Sequence, residues 1–500
     1  MANAADGQRD AREQQANSKT PLLQRNRHDA EHGNATTTGD AASQSSGNEW
    51  ESDEVNNPQN WKRWYKWTLV ILVSFIEFLT TMPNFMYAPN LTDAEEDLNT
   101  TNDTLATFSL TIYILGFALG PLLFGPLTEV YGRAPVYRLC LVAFLCMTLG
   151  CGLAQNIEML VAFRFLAGSF GAAPVAIGGA VVGDLFVVEE RGRAMSIYQA
   201  GQIISAVVGP PIGGLIGAYL VWRWVFWIVC ILAALALICC VFILRETHHQ
   251  TLQRKLGSKG GPGEDAAGGL ASVLKDALMR PVQMLVRSPV VFAGCILIFV
   301  VIGLLNVFLT ELSRTVQQVY HVSSGQSGTM YLGLALGFVA ASVLFGLTND
   351  RIMAALTKRH GGETEPEFRL PATIAAMPIV VIGTLWYGWT LERRNSWIVP
   401  IIGSGVAGLG ITTVQLSVTT YMIDSFDTFS ASALAAVTMA RSVGGAILPL
   451  AGPPLFKALG QGWGNTILAG LAALCSVLPV LMYIFGSRWR AMFSSEDLMN

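Results

Sequence analysis

The chain has 500 residues, 52% of them hydrophobic and 13% charged, with a mean hydropathy of +0.45, a composition that excludes an ordinary soluble globular protein. A formal net charge of -3, with no dense Lys/Arg tract, excludes a nucleic-acid binder. What remains is a polytopic membrane protein, in which the position of each charge matters more than the sum.

Residues 1–66 come first, as a cytoplasmic tail. Up to about Glu54 they are too poor in large apolar residues to bury a core, so disorder is expected. No basic start followed by an apolar core precedes the first span, so that span is expected to do the targeting. Apolar stretches near the roughly 20 residues needed to cross a bilayer then recur at 67–89, 104–126, 136–154, 158–186, 194–220, 224–244, 289–310, 326–347, 371–390, 397–422, 430–454 and 464–486. Backbone in lipid must satisfy its own hydrogen bonds, and these runs are too long for barrel strands, so each reads as a helix. The expected fold is an all-α integral membrane protein with twelve transmembrane helices in two six-helix bundles, 67–244 and 289–486. A cytoplasmic linker, 245–288, joins them, and a short tail, 487–500, follows.

Basic residues orient the spans. With the N-terminus inside, the cytoplasmic segments from Lys62 onward hold twenty Lys and Arg against five in the outer loops, so both termini are expected to be cytoplasmic. The first outer loop carries glycosylation sequons at Asn99 and Asn102, within reach of modifying enzymes on that side. The halves echo each other weakly: Gly125-Pro-Leu-Thr-Glu129 follows the second span and Gly346-Leu-Thr-Asn-Asp350 follows the eighth. Repeated halves are a mark of secondary transporters.

Signatures of catalysis are absent from the sequence. There is no HExxH and no Walker motif, and the six histidines lie outside the spans. The eight cysteines all fall in apolar segments without CxxC spacing, so neither a metal site nor disulfides are expected. Gly403-Ser-Gly405-Val-Ala-Gly408 matches GxGxxG but sits inside an apolar span with no strand before it, where small residues permit close helix contact.

Charges inside the hydrocarbon are more informative, since each costs about 2.5 to 3.5 kcal/mol at a helix centre. Glu77 lies well inside the first span, with Thr81 and Asn84 at i+4 and i+7 on the same face. A carboxyl there is suited to loading and releasing a proton, or else is held permanently by a buried base. Arg164 in the fourth span is the partner the sequence offers, and Arg441 in the eleventh is a second buried cation. Gln202, Asn306 and Gln415 lie on further polar helix faces that either line a central cavity or bond between helices.

Several ordered motifs now combine. Gly125-Pro-Leu-Thr-Glu-Val-Tyr-Gly132-Arg133-Ala-Pro135 resembles the loop 2–3 signature of the major facilitator superfamily. RFLAGSFGAA from Arg164 resembles that superfamily's proton-transfer motif, and Gly209-Pro210-Pro211-Ile212-Gly213-Gly214 resembles its antiporter motif. NPQNW near Pro58, WRWVFW from Trp222, RET at Arg245 and RSVGGAILPL from Arg441 are similar to the fungal twelve-span drug:H+ antiporter branch. Glu129, Val130 and Ala167 depart from the usual Asp, Arg and Gln of those motifs.

The resemblance implies a proton-coupled exporter of small amphipathic organic molecules that works by alternating access, with the proton gradient as energy source and no cofactor. It assigns proton coupling to Arg164, and burial adds Glu77 as its partner. Gly125, Glu129, Gly132, Arg133, Asp350 and Arg351 read as a cytoplasmic gate. Asn84, Gln202, Asn306, Gln415 and Arg441 read as cavity residues. The expected partners are a small-molecule substrate, protons and the lipid bilayer, with the protein a monomer in the plasma membrane, the vacuolar membrane being the alternative. Organic acids would favour the buried arginines, polyamines would want more than one deep carboxylate, and a nutrient sensor would want a longer signalling tail.

Overall fold

The computed structural model describes residues 57–100, 102–248, 251, 266–361, 365–394, 396–426 and 429–491. Most of the expected N-terminal tail and the centre of the linker therefore lie outside the described residues, as do the side chains of Glu129 and Asp350.

The described chain is helical, with no strand among the described residues. The first half comprises α1 (Arg63–Tyr87), a short α2 (Leu91–Asp97), α3 (Asp103–Tyr131), α4 (Arg133–Gly152), α5 (Ile157–Leu185), α6 (Val188–Tyr219) and α7 (Trp224–Ile243). The linker ends in α8 (Ala266–Arg287). The second half comprises α9 (Pro289–Tyr320), a short α10 (Ser324–Met330), α11 (Leu332–Arg359), α12 (Leu370–Glu392), α13 (Ile398–Ser425), α14 (Ser430–Ile447), α15 (Gly452–Cys475) and α16 (Val477–Ala491).

Eleven helical runs among the described residues are long and apolar enough to cross a membrane. The last, Ser430–Arg490, is 61 residues long and contains both of the final expected spans. Gly460, with φ 76°, breaks it between them. Caps explain several starts: Asn102 accepts from Thr104 and Leu105 N–H at α3, and Asn156 from Met159 N–H at α5. Gly132, at φ 94°, separates α3 from α4. Pro210 and Pro211 do not interrupt α6, which runs through both.

Two boundaries differ from the sequence reading. The expected span 289–310 is the front of α9, which continues to Tyr320 and carries Glu311 and Arg314 on a helix rather than in a loop. The expected polar linker holds α8, a full helix, in its second part.

The halves pack by one plan. In the first, α3 packs on α5, α1 on α6 and α4 on α7. In the second, α11 packs on α13, α9 on α14 and α12 on α15, the corresponding pairs. Small residues make these contacts close. An added Cβ at Gly405 would meet the Gly333 carbonyl of α11, and one at Gly403 would meet the Tyr387 backbone of α12. The GxGxxG segment thus serves helix packing. Between the halves, α6 meets α10 and α11, and α3 meets α14.

Candidate functional site

Three ionisable side chains lie deep in the helices. Arg164 on α5 is fully buried, and its guanidinium stands 4.4 Å from the ring centre of Tyr87 and 5.3 Å and 5.9 Å from those of Tyr113 and Phe226. Its Nη2 donates to the Leu110 carbonyl at 3.2 Å, while Nε and Nη1 have no hydrogen-bond partner. Aromatic faces rather than a carboxylate therefore hold this cation. The pair expected between Glu77 and Arg164 does not form. The physical reason is depth: Arg164 stands over the ring of Tyr87, about three turns beyond Glu77 on α1, within the ring wall built by α1, α3 and α7.

Glu77 on α1 is 2% exposed, and its Oε2 has no hydrogen-bond partner. The cation acting on it is Arg441, on α14 of the other half. Tyr137 of α4 and Tyr198 of α6 also face it. No ion pair joins Glu77 to Arg441, and the two residues stand in opposite halves. Arg441 is half-buried. One turn on, the Gly445 position lies against Asn306 Nδ2 of α9 and Ile114 of α3. The structure thus brings Glu77, Arg441 and Asn306 to the boundary between halves. Asn306 donates to the Ile302 carbonyl at 2.9 Å. Asn84 is half-buried, with Oδ1 unpartnered. Gln202 and Gln415 are half-buried on α6 and α13, and no hydrogen bond links their side chains to this group.

The antiporter-like segment lies where the halves touch. A Cβ at Gly328 of α10 would stand 2.6 Å from the Pro210 carbonyl and 2.9 Å from Gly214 Cα. Gly213 packs on the Met86 backbone of α1, and its carbonyl accepts from Asn90 Nδ2 at 2.8 Å, while Gly209 packs on Phe85. Around it the halves are bonded: Thr92 Oγ1 donates to Gln317 Oε1 at 3.1 Å, Ser313 Oγ to the Pro89 carbonyl at 3.3 Å, and Arg314 forms an ion pair with Glu95. Glu311 is buried one turn before Arg314, with Oε1 unpartnered and the Gly452 backbone beside it. Sequence reasoning missed Glu311, Arg314 and Glu95. The signal was an acid directly after Thr310, hidden by ending the span too early.

The opposite end is tied within each half. Arg133 Nε approaches Asp184 at 3.4 Å and its Nη1 donates to Thr128 at 2.7 Å, while Glu246 accepts from Arg133 N–H at 2.8 Å and Ala134 N–H at 3.2 Å. In the second half, Arg369 pairs with Asp424 at 2.8 Å and Arg490 with Glu367 at 2.7 Å. Arg133–Asp184 and Arg369–Asp424 occupy corresponding places in the two halves, a repeat the sequence reading overlooked. Glu246 belongs to the RET motif, whose purpose now shows: its carboxylate satisfies the opening N–H groups of α4. A Cβ at Gly132 would collide with that carboxylate, whereas Gly125 has open space around it. Arg351 is exposed on α11. Asn99 is exposed with φ 52°, and Asn102 spends Oδ1 on its cap. No group of metal-ligating side chains occurs among the described residues.

Two internally repeated helical bundles, meeting over unpaired buried charges and spanning a membrane many times, define a multi-pass membrane transporter. The sequence pattern described as Major Facilitator Superfamily matches residues 73–449, and the chain belongs to that family. Its relatives include an MFS-type transporter, hepF, of Aspergillus oryzae, 36% identical over 458 residues (88% of this chain, 94% of that one). Another is the MFS-type transporter penM of Penicillium rubens, 37% identical, covering 88% of each chain. The efflux pump radE of Floropilus chiversii is 35% identical, covering 88% of this chain and 84% of that one. Among solved structures, a D-xylose-proton symporter superposes with a TM-score of 0.66 at 16% identity, covering 83% of this chain and 97% of that one. The human organic anion transporter MFSD10 does so with 0.56 at 18%, covering 82% and 99%. These structural likenesses show the shared fold.

Proposed function

We propose that the protein exports small amphipathic organic molecules in exchange for protons, by rocking its two halves about a site between them. The observation that carries this reading is the unclosed pair of Glu77 and Arg441, one from each half, with Glu77 Oε2 unpartnered. A buried carboxylate with a free oxygen and a cation standing off is poised to take either a proton or a cargo group, and either event changes the attraction between halves. In this reading a proton on Glu77 releases Arg441, while Arg164, in its aromatic cage, holds α5 against α1 and α3 as the motif moves. The antiporter-like segment supports exchange, since it packs the first half against the second where a leak would open. The relative named as an efflux pump supports the outward direction.

The energetics are adequate. One proton moving down about 100 mV yields roughly 2.3 kcal/mol, enough for a cargo gradient of about 50-fold at ~1.4 kcal/mol per decade. The test is uptake into everted vesicles under an imposed pH gradient, with metabolomics of deletion and overexpression strains to name the cargo. Glu77→Gln is expected to lose dependence on the gradient. Unchanged coupled transport in that variant overturns the assignment. A second reading, export of organic acids, rests on the half-buried Arg441, and the metabolomics distinguishes the two: only anionic compounds change with the protein if this reading holds. We place the protein in the plasma membrane as a monomer. A fluorescent fusion separates this from the vacuolar membrane, and an endoglycosidase shift reports use of Asn99 or Asn102.

A further inference from the structure

Glu311 is a buried acid that the proposed exchange leaves unused. It lies on α9 beyond Asn306, toward the end of the molecule that holds Glu95, is 5% exposed, and its Oε1 has no hydrogen-bond partner. The glycine at the start of α15 makes room for the carboxyl, since a Cβ at Gly452 would stand 3.3 Å from that oxygen. Tyr387 of α12 faces Glu311 with its own buried hydroxyl unpartnered. One turn along α9, Thr315 accepts from Gln461 Nε2 at 3.0 Å, and the buried Gln461 Oε1 is again without a partner. Unpartnered buried polar atoms are rare enough that three in one region point to a further task.

Arg314 stands three residues on from Glu311, about 4.5 Å along the same helix and close to the same face, a spacing at which acid and base on one helix pair readily. In this structure Arg314 crosses the seam instead and pairs with Glu95 on α2 of the first half, the two side chains being 10% and 15% exposed. One guanidinium thus has two carboxyl groups within its range, one in each half. Arg314, Glu95 and Asp103 are the charges that act on Glu311. Tyr331 also faces it, but donates to the Leu309 carbonyl at 2.8 Å. Glu392 is spent on the Gln461 and Gly462 N–H groups, Lys457 is exposed, and α10, α13 and α14 bring no charged residue to this end.

We propose that Glu311 is a second proton-binding residue, and that its protonation decides whether Arg314 fastens the seam. Charge is costly where water is excluded, so a closed seam favours the neutral acid and leaves Arg314 to Glu95. When the seam opens, water reaches the carboxyl and takes its proton, and the carboxylate draws Arg314 back along its own helix. Because the closed seam holds the proton and the open seam gives it up, acid closes this end and alkali opens it. The use of this switch rests on the proposed exchange, in which protons from outside return the emptied carrier inward.

The experiment uses the full chain in nanodiscs without cargo. Nitroxides on p-acetylphenylalanine replace exposed Gln155 and Ser396, one in each half, so the native cysteines stay in place. Distance distributions give the ratio of closed to open seams, and in the parent this ratio is expected to rise about tenfold from about pH 8.5 to about pH 5.5. Glu311→Gln, a fixed mimic of the neutral acid, is expected to elute as one species and to hold the seam closed at every pH. Glu311→Asp is expected to restore the response. A parent ratio that does not move with pH, or a response that survives in Glu311→Gln, overturns the proposal. Glu77→Gln separates this switch from the export reading, since it is expected to keep the seam response while losing gradient-dependent transport. A response lost in Glu77→Gln and kept in Glu311→Gln sinks the switch and leaves the export reading standing.

Discussion

Charges are treated in opposite ways at the end of the molecule that holds Glu95 and at mid-depth. Near Glu95 the two halves are fastened: Arg314 pairs with Glu95, and Thr92, Ser313 and Gln317 bond across the seam. At mid-depth Glu77 and Arg164 are buried and Arg441 half-buried, without a single ion pair among them. Paired charges cost little to keep and resist separation, so they suit a gate. Unpaired buried charges are expensive to keep, and such a cost persists where a proton or ligand is to be met.

That contrast can be broken most forcefully just behind the seam, where the antiporter-like segment packs within the first half. Gly213→Leu puts a side chain into the Met86 backbone and the Asn90 bond, and export is expected to fall more than tenfold while the protein still reaches the membrane and elutes as one species. Next comes Arg164→Met. Replacing a buried charge that has ring faces but no counter-ion by an apolar chain of similar length is expected to change thermal stability by less than about 2 kcal/mol, while export falls about tenfold. A marked loss of stability would make Arg164 a structural residue only. Glu95→Gln is expected to shift the population toward separation at that end about fivefold, the equivalent of ~1 kcal/mol, for a pair that is largely buried. Spin labels at exposed Glu96 and Ser396, one in each half, would read it as a longer distance. The smallest effect is expected from Arg63→Gln. Its 4.0 Å pair with Glu190 is open to water, with the side chains 72% and 44% exposed, and removing it should change neither stability nor rate measurably.

Much of the fold was legible because a bilayer imposes a simple demand on sequence. Long apolar runs, small residues at helix crossings and an excess of inside cations all follow from it, and α4, α5 and α7 begin and end within a few residues of their expected bounds. The end of α9 was less legible. Hydropathy falls at Glu311, but the helix continues because its polar side chains find partners in the other half. The same limit governed α8, whose apolar stripe is too short to register as a span.

By itself the sequence determined the class of protein, the repeat and the identity of the costly charges, because composition and spacing record what lipid tolerates. Which charges face each other was decided only by tertiary structure. Glu77 and Arg164 belong to one half and looked like natural partners, yet packing seats Arg164 in a cage of rings about three turns along α1 from Glu77 and leaves Glu77 under the influence of Arg441 in the other half. Rotation about a helix axis is fixed by packing against neighbours, and no single helix's sequence carries that information.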